Sequence, residues 1–128
     1  MKNIIYTEKA TAPTAPYSQA IVTGKMIFLA GVCGDDPVTS EIMGDGDMKI
    51  EAKYAMENLK NTIEAAGGKM NDIVMVRVYV TDIDKMSEFN PVYIQYFEDD
   101  YLPARVAMQV ANLAGGAHLE IEAQAILD

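Results

Sequence analysis

One cysteine and one histidine among 128 residues leave little room for disulfide or metal chemistry. Cys33 alone makes neither an internal disulfide nor a cysteine-based metal site, and His118 alone builds no histidine cluster for zinc. Positive charge is also scarce: ten lysines and arginines face nineteen carboxylates, for a net charge of −9. Phosphate binding needs a basic face, so neither nucleic acid nor an anionic membrane surface is expected as a partner. No apolar run reaches the length of a membrane span, and the N-terminus lacks the pattern of a secretory signal. The expectation is a soluble cytoplasmic protein with no structural metal. Low-complexity segments and internal repeats are absent as well. What remains is ample apolar material: half the residues are hydrophobic, enough to give a single domain over 1–128 a real core.

The local patterns predict an alternating set of elements. Residues 2–6 read as a first strand and Ala10 to Pro16 as a loop. Gln19 to Thr23 and Met26 to Ala30 are β-rich runs around Gly24-Lys25, a glycine-first hairpin turn. Ala52, Ala55, Met56, Leu59, Ile63 and Ala66 share one helical face, while Lys53, Glu57, Lys60 and Glu64 face out. Asp47 is the expected N-cap, and Gly67-Gly68 the stop. Ile73 to Thr81 reads as a buried strand. Phe89, Val92, Tyr93, Tyr96 and Phe97 predict a second helix, with Asn90 as N-cap and Pro91 in the first turn. Arg105 to Val110 is another strand. From Leu119 to Leu127, apolar residues alternate with Glu120, Glu122 and Gln124, the mark of a strand with one apolar face. The order β-β-β-α-β-α-β-β predicts an α+β sandwich with two helices on one face of a mixed sheet.

Only two arginines occur, Arg77 and Arg105. Arg105 follows Pro103-Ala104 at the mouth of an apolar segment. A planar, permanently charged fork there suits bidentate capture of a small carboxylate, and a structural ion pair is the plainer alternative.

Several separate stretches resemble one family. Ala15-Pro16-Tyr17-Ser18-Gln19-Ala20 is similar to its Gly-Pro-Tyr-Ser-Gln-Ala signature. Asn58-Leu59-Lys60 through Glu64-Ala65-Ala66-Gly67 resembles its first helix. Asp72-Ile73-Val74 with Val78-Tyr79-Val80-Thr81-Asp82 resembles its central strand. Pro103-Ala104-Arg105 and Glu120-Ile121-Glu122-Ala123 resemble its C-terminal signature. This is the reactive-intermediate deaminase, Rid or YjgF, family, and the resemblance runs through nearly the whole chain in order and spacing.

The resemblance implies a chorismate-mutase-like sheet with two helices, a homotrimer, and three clefts between neighbouring subunits. It implies hydrolysis of 2-imino or 2-enamino acids to 2-keto acids and ammonia, with no cofactor. It puts Tyr17, Asn90, Arg105 and Glu120 in or beside the cleft and the backbone of Gly31 to Cys33 along its wall. Such an imine is electrophilic at C2, so the protein need only hold the carboxylate, orient C2 and position a water. On this reading Arg105 holds the carboxylate, Glu120 handles the water, Tyr17 offers a hydroxyl and Asn90 an amide.

Each residue also has a plainer role. Tyr17 would anchor a loop at the trimer interface, Asn90 would only cap a helix, and Glu120 would be solvated or paired with a lysine. Glu122 shares the strand face of Glu120 and is its rival. Cys33 would be a small buried hydrophobe, and His118 would face solvent. The chain also departs from the family pattern. Val106-Ala107 replaces Ser-Cys, so Ala107 stands where a cleft thiol is usual. Ala30-Gly31-Val32 replaces Ser-Gly-Gln, and Ala15 replaces glycine. These changes imply a more apolar cleft, which would shift substrate preference or remove activity. Three function classes follow: an imine deaminase, a non-catalytic binder of small carboxylates, and a ribonuclease or translation inhibitor. The charge balance and the lack of a histidine pair count against the last.

Overall fold

The computed structural model describes residues 1–98 and 101–128. Strands β1 (Lys2–Ile5), β2 (Ala20–Thr23) and β3 (Met26–Cys33) come first, then helix α1 (Met48–Ala65) and strand β4 (Ile73–Val80). Helix α2 (Met86–Tyr93) and strands β5 (Ala104–Gln109) and β6 (Leu119–Ile126) complete the order. The sheet runs β1-β2-β3-β6-β4-β5. Only β4 and β5 are parallel, which demands a crossover, and α2 supplies it.

Local chemistry explains the boundaries. Thr23 pairs with Met26 across a two-residue turn, and Gly24 carries the positive φ of 57° that this turn needs. Asp47 Oδ1 accepts from Lys49 N at 2.9 Å and caps α1. At the other end Gly67 takes φ 90°, so Gly68 N reaches Ile63 O at 2.9 Å and Gly67 N reaches Glu64 O at 3.1 Å. That pair of bonds is a Schellman stop.

The second helix starts earlier than its sequence suggests. Asp82 Oδ1 accepts from Asp84 N at 3.0 Å and launches a 3₁₀ turn, Ile83–Lys85, that feeds α2 at Met86. Asn90 therefore caps nothing. It lies inside α2, as does Pro91, whose missing N–H forgoes the bond to the Ser87 carbonyl.

Alternation gives the sheet two unlike faces. Ile27, Leu29, Val76, Val78, Val80, Leu119 and Ile121 point to the helix side and pack with Met56, Leu59, Ile63 and Phe89. Leu59 and Phe89 are fully buried, so truncating either to alanine costs about 2–5 kcal/mol. The opposite face is open. Met26, Phe28, Val106, Met108 and Ile126 are exposed there. Among them Tyr79 Oη donates to Glu122 Oε1 at 2.6 Å, and Arg77 Nη1 lies 3.7 Å from the same oxygen.

Strand β3 continues to Cys33, beyond the expected end at Ala30. Leu29 pairs with Ala123 and Val32 with Ile121, so Ala30 and Gly31 together oppose the single residue Glu122. This bulge reverses the alternation that follows it. Val32 turns to the helix side, and Cys33 turns to the open face opposite Glu120.

Candidate active site

The bulge forms one wall of a cavity of about 500 Å³. Tyr17, Gly31, Cys33, Asp35, Asn58 and Glu120 are among its lining residues. The N-terminal loop makes the facing wall, and Gln19 holds it in place. Gln19 Oε1 accepts from Thr7 N at 2.7 Å, while Nε2 donates to Thr7 O at 3.1 Å and Thr11 O at 3.0 Å. Asn58 on α1 ties the end of β3 to the helix, donating to Cys33 O at 3.0 Å and Asp35 O at 2.9 Å. Asp35 Oδ1 accepts from Thr11 Oγ1 at 2.8 Å and lies 3.0 Å from Asn58 Nδ2.

Gly31 is where it is because Glu120 is so close. A Cβ at Gly31 would meet Glu120 Oε2 at 2.5 Å and Cδ at 2.9 Å. Cys33 Sγ donates to Glu120 Oε1 at 3.5 Å. Burial, then the Glu120 and Asp35 carboxylates, push the Cys33 thiol up to about 12. At neutral pH it is a proton donor, not a nucleophile. Burial raises the Tyr17 phenol as well, reinforced by Cys33, Asp35 and Glu120. Asp35 itself is raised by burial, against the hydrogen bonds from Thr11, its own backbone and Asn58.

A second group gathers elsewhere. Arg105 pairs in register with Val76 and Ala107 with Val78, so both lie on the helix side of edge strand β5. Arg105 Nη1 donates to Asn90 Oδ1 at 2.9 Å, and its guanidinium carbon sits 4.9 Å from the Tyr93 ring centroid. None of the ion pairs among the described residues involves Arg105. A neutral amide and an aromatic face orient the fork without neutralising it.

Residues 7–127 match the family described as Endoribonuclease L-PSP, which is the YjgF or Rid family. The chain belongs to the Rid family. A RutC family protein of Pyrococcus horikoshii is 44% identical over 123 residues, covering 96% of each chain. A 2-iminobutanoate/2-iminopropanoate deaminase of Capra hircus is 40% identical over 126 residues, covering 98% of this chain and 90% of its own. The crystal structure of E. coli TdcF with bound serine superposes with a TM-score of 0.91 at 36% identity, covering 98% of this chain and 99% of that one.

Of the positions singled out by the Rid resemblance, Tyr17, Gly31, Cys33 and Glu120 share the cavity. Arg105, Asn90 and Ala107 do not line it. Within this chain, Arg105 and Glu120 lie on opposite faces of the sheet. Glu122 is on the open face but outside the cavity, engaged by Tyr79 and Arg77.

The sequence reading missed Asp35, Thr11 and Asn58, because three separate segments bring them together. His118 faces solvent as expected, its side chain 50% exposed, and it also engages a buried carboxylate. His118 Nδ1 lies 2.8 Å from Oε1 of the fully buried Glu51, and its backbone N–H donates to Oε2 at 2.8 Å. The signal for Glu51 was its place on the buried stripe of α1, one turn before Ala55.

Proposed function

We propose that the single domain 1–128 hydrolyses reactive 2-imino or 2-enamino acids to 2-keto acids and ammonia, in clefts between copies of a homotrimer. The observation that carries this reading is the division of labour across the sheet. Glu120 lines a cavity on one side, and Arg105 stands on the other with a fork that no described carboxylate occupies. A 2-imino acid needs both, so β5 of one copy completes the cavity of another. The exposed Met26, Phe28, Val106, Met108 and Ile126 support that contact, since an apolar sheet face of this kind is normally covered. Deaminase relatives at about this similarity support the chemistry, and the TdcF structure with bound serine supports a small amino-acid-like ligand.

Arg105, steadied by Asn90, binds the carboxylate, and the small Ala107 leaves room beside it. Glu120 accepts a proton from water as the water oxygen adds to C2. The imine nitrogen takes up a proton, giving a carbinolamine. The hydroxyl proton of the carbinolamine then passes by way of Glu120 to the nitrogen, which leaves as ammonia as the C2 oxygen becomes the ketone. Cys33 orients Glu120 through its S–H, the backbone of Gly31 to Cys33 flanks the substrate, and Tyr17 donates its hydroxyl. No cofactor enters these steps.

The test is release of ammonia and keto acid from freshly generated imino acids with side-chain size varied, alongside light scattering. Acceleration over the spontaneous rate by a trimer is the expected result. A stable monomer at micromolar concentration, or no acceleration, refutes it. Tight keto-acid binding without turnover would instead favour a small-carboxylate binder. RNA cleavage lost in a Glu120 variant would favour the ribonuclease description, which the charge of −9 opposes.

A further inference from the structure

The cavity carries a second carboxylate that the imine chemistry does not use. Asp35 lines it together with Glu120, and among the described residues no lysine, arginine or histidine does. Asp35 is also oriented. Its Oδ1 is held by Thr11 and Asn58, while Oδ2 takes a hydrogen bond from no other described residue and is not sealed from solvent. Three separate segments, the N-terminal loop, the end of β3 and the buried face of α1, converge to fix one oxygen of this cavity-lining residue and leave the other without a described partner.

Neither neighbour compensates this charge. Tyr17 and Cys33 stay protonated and neutral, and Arg105 is reserved for the substrate carboxylate. An imino acid with a plain alkyl side chain would leave Asp35 facing water or carbon. One with a cationic end would satisfy it with a charge-assisted hydrogen bond. A cavity of about 500 Å³ has room for such a side chain beyond the reacting carbon.

We propose that Asp35 is a specificity-determining residue that selects 2-imino acids whose side chain ends in a cation, a guanidinium or an ammonium. This rests on the deaminase reading of the same cavity. The recognition is electrostatic and lies at the substrate's far end, so it acts on choice of substrate and not on the bond-making step.

The experiment compares imines generated in the assay by an amino-acid oxidase from arginine and from norvaline, which share the three-carbon side chain and differ by the guanidinium. The intact wild-type assembly is expected to favour the guanidino imine in kcat/KM by about tenfold to a hundredfold, the worth of one hydrogen bond to a charged group. Asp35→Asn keeps the acceptor for Thr11 and Asn58 but turns Oδ2 into a donor, and it should collapse that ratio. Equal or better use of the propyl imine by wild type overturns the inference while leaving the deaminase reading intact, and it needs no variant. A guanidino preference that persists in folded Asp35→Asn overturns the role of Asp35. If no imine is accelerated, the deaminase reading fails. Calorimetry with 5-guanidino-2-oxopentanoate and 2-oxopentanoate then decides the inference separately. Tighter guanidino binding that Asp35→Asn removes supports it, and equal affinities refute it.

Discussion

Replacing Gly31 by alanine tests the site without touching any group that does chemistry. The new Cβ would stand 2.5 Å from Glu120 Oε2, 2.9 Å from Cδ and 3.1 Å from Cγ. Ordinary van der Waals contact begins near 3.4 Å, so the carboxylate must retreat by about 0.9 Å. It can do so, because the obstacle is the end of a flexible side chain and Gly31 does not need a positive φ. Fold and assembly should therefore survive. Catalysis should not, since misplacing a reacting group by about 1 Å costs roughly a hundredfold in rate. That is about 2.7 kcal/mol of transition-state stabilisation. The assay is kcat and KM for a small imino acid, with thermal unfolding measured in parallel. The loss should fall mainly in kcat, because a displaced base harms the transition state more than the ground state. Gly34→Ala is the contrasting control. Its Cβ would meet the Glu51 backbone carbonyl and Glu51 Cγ, inside α1, where neither atom can yield cheaply. That variant should lose stability instead. Wild-type kcat in Gly31→Ala would show that Glu120 is not the residue that positions water.

Other perturbations separate the remaining roles. Arg105→Ala should abolish imine hydrolysis with the fold intact, by about 2–5 kcal/mol or roughly thirty- to several-thousandfold, and Arg105→Lys should rescue poorly because an ammonium lacks the fork; turnover like wild type in the alanine variant would place the site elsewhere. Glu120→Gln should lower turnover more than keto-acid binding measured by calorimetry. Glu122→Gln should instead loosen the Tyr79–Arg77 cluster on the open face and show in assembly rather than kcat; the reverse pattern would refute the assigned register. Cys33 should resist alkylation at pH 8 and gain reactivity only as pH nears 12, since its raised thiol value keeps it protonated. The same shift favours the folded state below about pH 9 and is lost as pH climbs toward 12, so alkaline unfolding of wild type should begin earlier than that of Cys33→Ala.

The elements that could be read from the chain are those whose cause is local. Asp47 and Gly67-Gly68 bound α1 because a cap and a Schellman stop are made by neighbours in sequence. The alternation in 119–127 marks β6 because a strand's period shows in its own residues. Where a distant partner decides, the sequence misleads. Asn90 and Pro91 look like a helix start, but Asp82 had already begun the turn that leads into α2. Asn90 is free to serve Arg105 because it is not a cap. Asp35 gives no sign of its role, since its partners lie 24 and 23 residues away. Ala30-Gly31 gives no sign of a bulge, because a bulge is a property of two strands and not of one.

That bulge also bears on the proposal that the site is shared between copies. With unbroken alternation Cys33 would follow Leu29 to the helix side and leave Glu120 without its thiol partner. The extra residue sends Cys33 to the open face and vacates, at Gly31, the space that the Glu120 carboxylate enters. No such correction occurs in β5, which keeps step with β4 from Ala104 to Gln109. Arg105 thus stays beside Val76, and Asn90 and Tyr93 from α2 fix it there. One-residue slippage of β5 would bring Arg105 to the Glu120 side, but it would also carry Val106 and Met108 to the helix side and break the contact of Ala107 with the core. The register that gives a sound core therefore keeps Arg105 and Glu120 on opposite faces of the sheet within one chain. On the proposed reading, a second copy that presents its β5 edge to the open cavity joins the two charges without disturbing either face.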